Sequence, residues 1–181
     1  MRFEKSWIVA TKDFAVFRRN KYIFYSLIAM PIIFGIVLPL VLLLALPIDL
    51  VASAEIEMIL NISTMYFVIL AAILPTVIAS YSFVGEKIEK SLEPLLATPT
   101  TDGELLLGKS IAAFIPCMGA TLLGAAIFLV VADYWSLTNL GILVLPNLNW
   151  ALIVGLVTPL ACVLSVESNI IISSQIGRAH V

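Results

Sequence analysis

Ser110–Ala132 reads SIAAFIPCMGATLLGAAIFLVVA, a run without one charged residue, and it decides the fold. A helix needs about 20 mostly apolar residues to cross the hydrocarbon core of a bilayer, and this run is long enough. Working outward, Tyr22–Ile48, Met58–Gly85 and Tyr134–Val166 are also free of charge. The first two of these and Ser110–Ala132 give one span each. The last is too long for one helix. Its front half holds Asn139, Pro146, Asn147 and Asn149, which are turn signals, so that half is placed outside the membrane. The fourth span then starts near Trp150, an aromatic that suits the membrane interface.

Spans are therefore expected at about 22–48, 58–85, 108–132 and 150–172. They are helices because a bilayer offers no partner to an exposed backbone amide. Pro31, Pro39, Pro75, Pro116 and Pro159 fall inside them, and each should bend or locally break its helix. Ala120 and Gly124 have the small-x-x-x-small spacing that permits close helix contact. The second span carries Asn61, Ser63, Thr64, Thr76 and Ser80. Such residues usually satisfy backbone or a neighbouring helix.

Composition excludes the soluble alternatives. Of 181 residues, 61% are hydrophobic and 12% charged, against about 45–50% and about 25% in soluble domains. The net charge of −2 offers no basic surface to a nucleic acid. Cys117 and Cys162 lie in apolar runs with no second ligand at metal spacing, and read as buried bystanders. The charged, amphipathic start differs from a cleavable signal peptide.

Lysine and arginine fix the orientation. Arg2, Lys5, Lys12, Arg18, Arg19 and Lys21 precede the first span, and Lys87, Lys90 and Lys109 lie between the second and third. The other two loops carry only Asp49, Glu55, Glu57 and Asp133. The positive-inside rule puts the N-terminus and the middle loop in the cytoplasm.

Two cytoplasmic elements follow. In residues 1–21, Phe3, Trp7, Ala10, Phe14 and Phe17 recur at helical spacing, which predicts an amphipathic helix lying in the inner headgroup layer. The second element is 85–109, GEKIEKSLEPLLATPTTDGELLLGK. Glu86 and Lys90 pair at i, i+4, so helix should continue from the second span. Pro94 fits as the first residue of a short new helix. Leu92, Leu95 and Leu96 then form an apolar knob ringed by Lys90 and Glu93, and Pro99 ends that piece. Thr101 and Glu104 have capping-box spacing, so the next helix should begin there and run into the third span. A loop this long exceeds the roughly 2–8 residues usual between bundle helices, and its prolines, cap and leucine knob point to a docking element.

Catalytic motifs are weak. Gly103–Ser110 fits G-x-x-x-x-G-K-[ST], but a phosphate loop needs a strand before it and a flexible, uncharged cradle. Here three leucines and Glu104 fill the cradle and a span follows, so Lys109 reads instead as a cation snorkelling to the inner interface. Glu167 falls near the cytoplasmic interface, and the sequon at Asn61 sits at the membrane edge. The only histidine, His180, lies in Ile176–Val181, which reads as the translation of a widely used sequencing adapter. Residues 175–181 are accordingly expected to be a non-native tail. No catalytic residue, cofactor-binding residue or metal ligand is expected.

The middle loop resembles that of the type-2 ABC transporter permease family, in GEK at Gly85–Lys87, SLEPLLATP at Ser91–Pro99 and ELLLGK at Glu104–Lys109. The amphipathic start, LPNLNW at Leu145–Trp150, Pro159 and IISS at Ile171–Ser174 are also similar. The resemblance implies an all-α, multi-pass bundle in the cell membrane, with 22–174 the permease domain and four of an expected six spans present. It implies the membrane subunit of an ATP-driven exporter, itself no enzyme, that pairs with a second permease half as a homo- or heterodimer. ATP and Mg would be bound by a separate ATPase, on which the loop sits as a coupling helix through Glu86, Lys87, Glu89, Lys90, Leu92, Glu93, Leu95, Leu96, Pro99 and Asp102. The alternative is a non-transporting scaffold that recruits a soluble partner through the same loop.

The orientation is tested by thiol labelling. Cysteines placed at Glu57 and Asp133 should react with an impermeant reagent from outside, and cysteines at Lys12 and Lys90 should not. Outside labelling at Lys90 would overturn the topology.

Overall fold

The computed structural model describes residues 3–44, 53–88, 101–143 and 145–178. All regular structure among them is helical: α1 (Phe3–Arg19), α2 (Lys21–Leu44), α3 (Ser53–Ile88), α4 (Asp102–Asn139), α5 (Leu148–Leu152), a π-helical turn (Ile153–Val157) and α6 (Thr158–Arg178). Four stretches are long and apolar enough to cross a membrane: Phe24–Leu44, Ile56–Ile78, Gly103–Asn139 and Leu148–Ile172, the last made of α5, the π turn and α6. Their outer faces expose Ile33, Val37, Val41, Leu152, Leu156, Leu160 and Leu164, a surface that a water-soluble monomer does not tolerate at this extent.

α4 is the axis of the bundle and touches α1, α2, α3 and α6. Phe67 of α3 and Phe128 of α4 are fully buried and meet edge to face at 5.7 Å, and Phe67 meets Trp150 in the same manner at 6.4 Å. Aromatic pairs favour this geometry because the positive ring edge faces the negative ring face. Trp150 also donates from Nε1 to Ser63 Oγ at 3.2 Å. It is thus a core residue, whereas the sequence suggested an interfacial one. A tryptophan at a span's start serves either role, and the serine 87 positions away decides between them.

The polar residues of the second span join α3 to the fourth span. Asn147 Nδ2 donates to Asn61 Oδ1, Ser165 Oγ to the Ala72 carbonyl and Asn169 Nδ2 to Thr76 Oγ1. Ser63 and Thr64 return their own hydroxyl protons to the carbonyls of Leu60 and Asn61. Asn147 also caps α5, accepting from the Trp150 amide at 2.8 Å.

Helix α4 runs past Asp133 to Asn139, further than the charge pattern suggested. Gly141, at φ +67°, supplies the left-handed turn after it. Pro31, Pro39, Pro75 and Pro116 sit within continuous helices. Only near Pro159 does the helix change register: the Thr158 amide and hydroxyl both donate to the Ile153 carbonyl, five residues back. Cys117 and Cys162 are free thiols and buried.

Glycine permits the α2–α4 contact. A Cβ on Gly35 would lie 2.8 Å from the Gly124 carbonyl oxygen, and one on Gly124 would lie 3.0 Å from Pro31. Gly35→Val should therefore destabilise the bundle by about 1–3 kcal/mol, read as earlier unfolding in detergent. Gly119→Ala, whose Cβ meets nothing within 4 Å, should leave stability unchanged or slightly raised.

Candidate functional site: the root of the middle loop

α3 and α4 have 36 and 38 residues, hence lengths of about 54 and 57 Å. Both exceed the ~30 Å hydrocarbon core, so the bundle has helical stalks standing clear of the bilayer. The ends that flank the middle loop are the C-terminus of α3 and the N-terminus of α4. Glu86 and Lys87 lie in the last turn of α3, and Asp102 is the first residue of α4. Glu89, Lys90, Leu92, Glu93, Leu95, Leu96 and Pro99 lie outside the described residues, as does the expected helix after Pro94.

The start of α4 is locked. Thr101 is extended and its Oγ1 accepts from the Glu104 amide, while the Glu104 carboxylate accepts from the Thr101 amide, a complete capping box. This satisfies amides that would otherwise be orphaned at a helix start. It is the arrangement that the spacing of Thr101 and Glu104 suggested.

The next turn is fastened to α1. Lys109 Nζ lies 3.9 Å from Asp13 Oδ2, with both side chains at least nine-tenths buried. Next to Lys109, Gly108 presses on α1 so closely that a Cβ there would come within 2.7 Å of the Ser6 carbonyl oxygen and 2.8 Å of Val9. Lys109 is therefore no snorkelling cation. An α1 carboxylate lies within reach, so burial is less costly than it would be for a lone ammonium. The same geometry disposes of the phosphate-loop pattern. Gly103–Ser110 is α-helical throughout, Glu104 is committed to the cap, and Gly108 and Lys109 are packed on α1.

α1 packs on the bundle with part of its expected apolar stripe, Ala10, Phe14 and Phe17, and with the residues beside it. Ser6, Val9, Ala10, Asp13 and Phe17 are buried, Phe14 is half-buried, and Trp7 is 47% exposed. The sequence reading missed Ser6, Asp13 and Gly108. A search for an apolar stripe passes over a serine and an aspartate whose partner lies far along the chain. The signal available was an aspartate, Asp13, in the middle of a mostly basic helix, and a lysine beside a glycine at the start of α4.

The stalks, apolar outer faces and packed spans define a polytopic α-helical membrane protein. The family model for the ABC-2 family transporter protein matches residues 7–169, and the chain belongs to that family. It is a membrane permease component of an ABC transporter, a family that works with an ABC ATPase in the lipid bilayer. No curated protein and no solved structure matches the chain.

Removing one member of a buried pair leaves an uncompensated charge, at a cost of about 3–5 kcal/mol. Asp13→Leu and Lys109→Met alone should each lower the unfolding midpoint sharply, and the double variant should recover most of the loss. A double variant as unstable as the singles would show that the pair is not what matters at this contact.

Proposed function

We propose that this chain is the permease subunit of an ATP-driven exporter in the cell membrane, with the N-terminus, α1 and the middle loop in the cytoplasm. It pairs with a second permease half, and each half engages a separate ATPase that binds ATP and Mg. Residues 85–109 are the coupling segment. The observation that carries this reading is the fastening of the loop's downstream root. A coupling element must transmit displacement rather than absorb it, and α4 begins at a closed capping box and is tied to α1 one turn later. A push on the loop then moves α4, which touches every other span and α1. The segregation of Lys and Arg to the N-terminus and the middle loop supports the orientation. α1 reinforces the root from the side and contacts headgroups through its exposed Trp7 and Ile8.

On the ATPase, Leu95 and Leu96 are the buried anchors, with Leu92 and Pro99 shaping the knob. Glu86, Lys87, Glu89, Lys90, Glu93 and Asp102 set register from the rim. Burying one leucine contributes about 1.5–3 kcal/mol. In the full-length permease with its ATPase, Leu95→Asp should abolish co-purification of the ATPase while membrane insertion persists. Charge reversal at Glu93 should weaken the complex less, and most visibly at low salt. Normal binding and transport-coupled hydrolysis in the Leu95→Asp protein would remove the loop from the coupling path.

A further inference from the structure

A cleft of about 460 Å³ opens between α1, α2 and α4, within the ~300–1,000 Å³ of small-molecule sites. Phe14 and Phe17 of α1, Phe24 and Leu27 of α2, and Pro116 and Gly119 of α4 form its walls. At Gly119 the wall is open: a Cβ there would meet nothing within 4 Å. The lining contains one charge, Arg18, which is exposed. Arg19 and Lys21 follow it in sequence, both exposed, and no carboxylate pairs with Arg18 among the described residues.

Its depth follows from the chain. Arg18, Arg19, Asn20 and Lys21 mark where α1 ends and the uncharged first span begins, so this is the polar boundary of the bilayer. Phe24 and Leu27 lie within the next two turns, at the level where acyl chains start. α2 and α4 run parallel here, since Phe24–Ile28 faces Pro116–Leu123 while Pro31 and Gly35 face Gly124. The cleft therefore has an apolar interior at acyl depth and a guanidinium at headgroup depth.

We propose that this cleft is a binding site for one anionic glycerophospholipid of the leaflet next to Arg18. An acyl chain fills the notch at Gly119, and the phosphate pairs with the Arg18 guanidinium. Arg suits the role because its planar fork can donate two parallel hydrogen bonds to phosphate oxygens. The site requires that the chain sits in a bilayer, and it does not rest on the exporter reading.

The test is photocrosslinking in phosphatidylcholine vesicles doped with diazirine-chain phosphatidylglycerol or diazirine-chain phosphatidylcholine, with adducts mapped by mass spectrometry. On the segments Phe24–Ile28 and Pro116–Leu123, the anionic probe should label about fivefold more than the zwitterionic one, the factor expected for one basic residue near the surface. Arg18→Gln should reduce that ratio to about one without altering helical content. Gly119→Phe should lower labelling by both probes at these segments and leave that on Leu152–Leu164 of the outer face unchanged. Excess glycerol phosphate should not compete. Equal labelling by the two probes, an unchanged ratio in Arg18→Gln, or competition by the free headgroup would each overturn the proposal. So would chain-to-chain crosslinks at the cleft in place of lipid adducts, because a second copy would then occupy it.

Discussion

Within hydrocarbon, a backbone amide has no partner except the chain's own carbonyls, and nearly everything in this bundle answers to that constraint. Hydroxyl groups obey it too. Ser63, Thr64 and Thr121 return their protons to carbonyls three or four residues back on the same helix. With lipid tails as apolar as the side chains, burial of hydrocarbon gives no drive for one span to prefer another. What remains is contact distance and a few polar pairs. Glycine provides the first at Gly35, Gly124 and Gly108, where backbone meets backbone or a packed side chain. The second is the series of hydrogen bonds between α3 and the fourth span, which includes the Trp150–Ser63 pair beside the Phe67 ring. The bundle thus divides into a glycine-mediated seam, α2 on α4, and a hydrogen-bonded one, α3 on α6.

Charged groups follow other rules, and the start of α4 shows how. Water competes for exposed charges, so an exposed Lys–Asp pair would contribute little. By packing α1 over Lys109 the protein removes water from the pair and makes it sensitive to either partner's loss. Gly108 lets α1 come close enough for this to happen. The stalk is consequently held by a contact that is specific in place, which hydrophobic packing alone does not ensure.

Much of this was legible in the sequence, for physical reasons. Uncharged runs long enough to cross a bilayer have few other uses, so four spans could be read directly. The cap at Thr101 and Glu104 was legible because a capping box is local, its two members three residues apart. The Asp13–Lys109 pair was not, since its members belong to separate helices and neither announces the other. Trp150 was misjudged for a similar reason: its indole N–H required a partner, and Ser63 lies on another span. Asn61 and Thr76 do satisfy neighbouring segments, as their residue types suggest, but the identity of their partners Asn147 and Asn169 is decided by packing.

The π turn at Ile153–Val157 keeps the fourth span in phase. Trp150, Val154, Thr158, Cys162, Val166 and Ile170 are all buried, and they recur every four residues. In an ideal α-helix a four-residue step overshoots one turn by about 40°. Six such positions would wind most of the way round to the lipid side. The extra residue in the π turn sets the helix back by about 100°, so that Ser165 and Asn169 return to the side on which Trp150 began. The fourth span is thus two half-helices with separately adjusted azimuths, and one wide turn acts as the vernier between them.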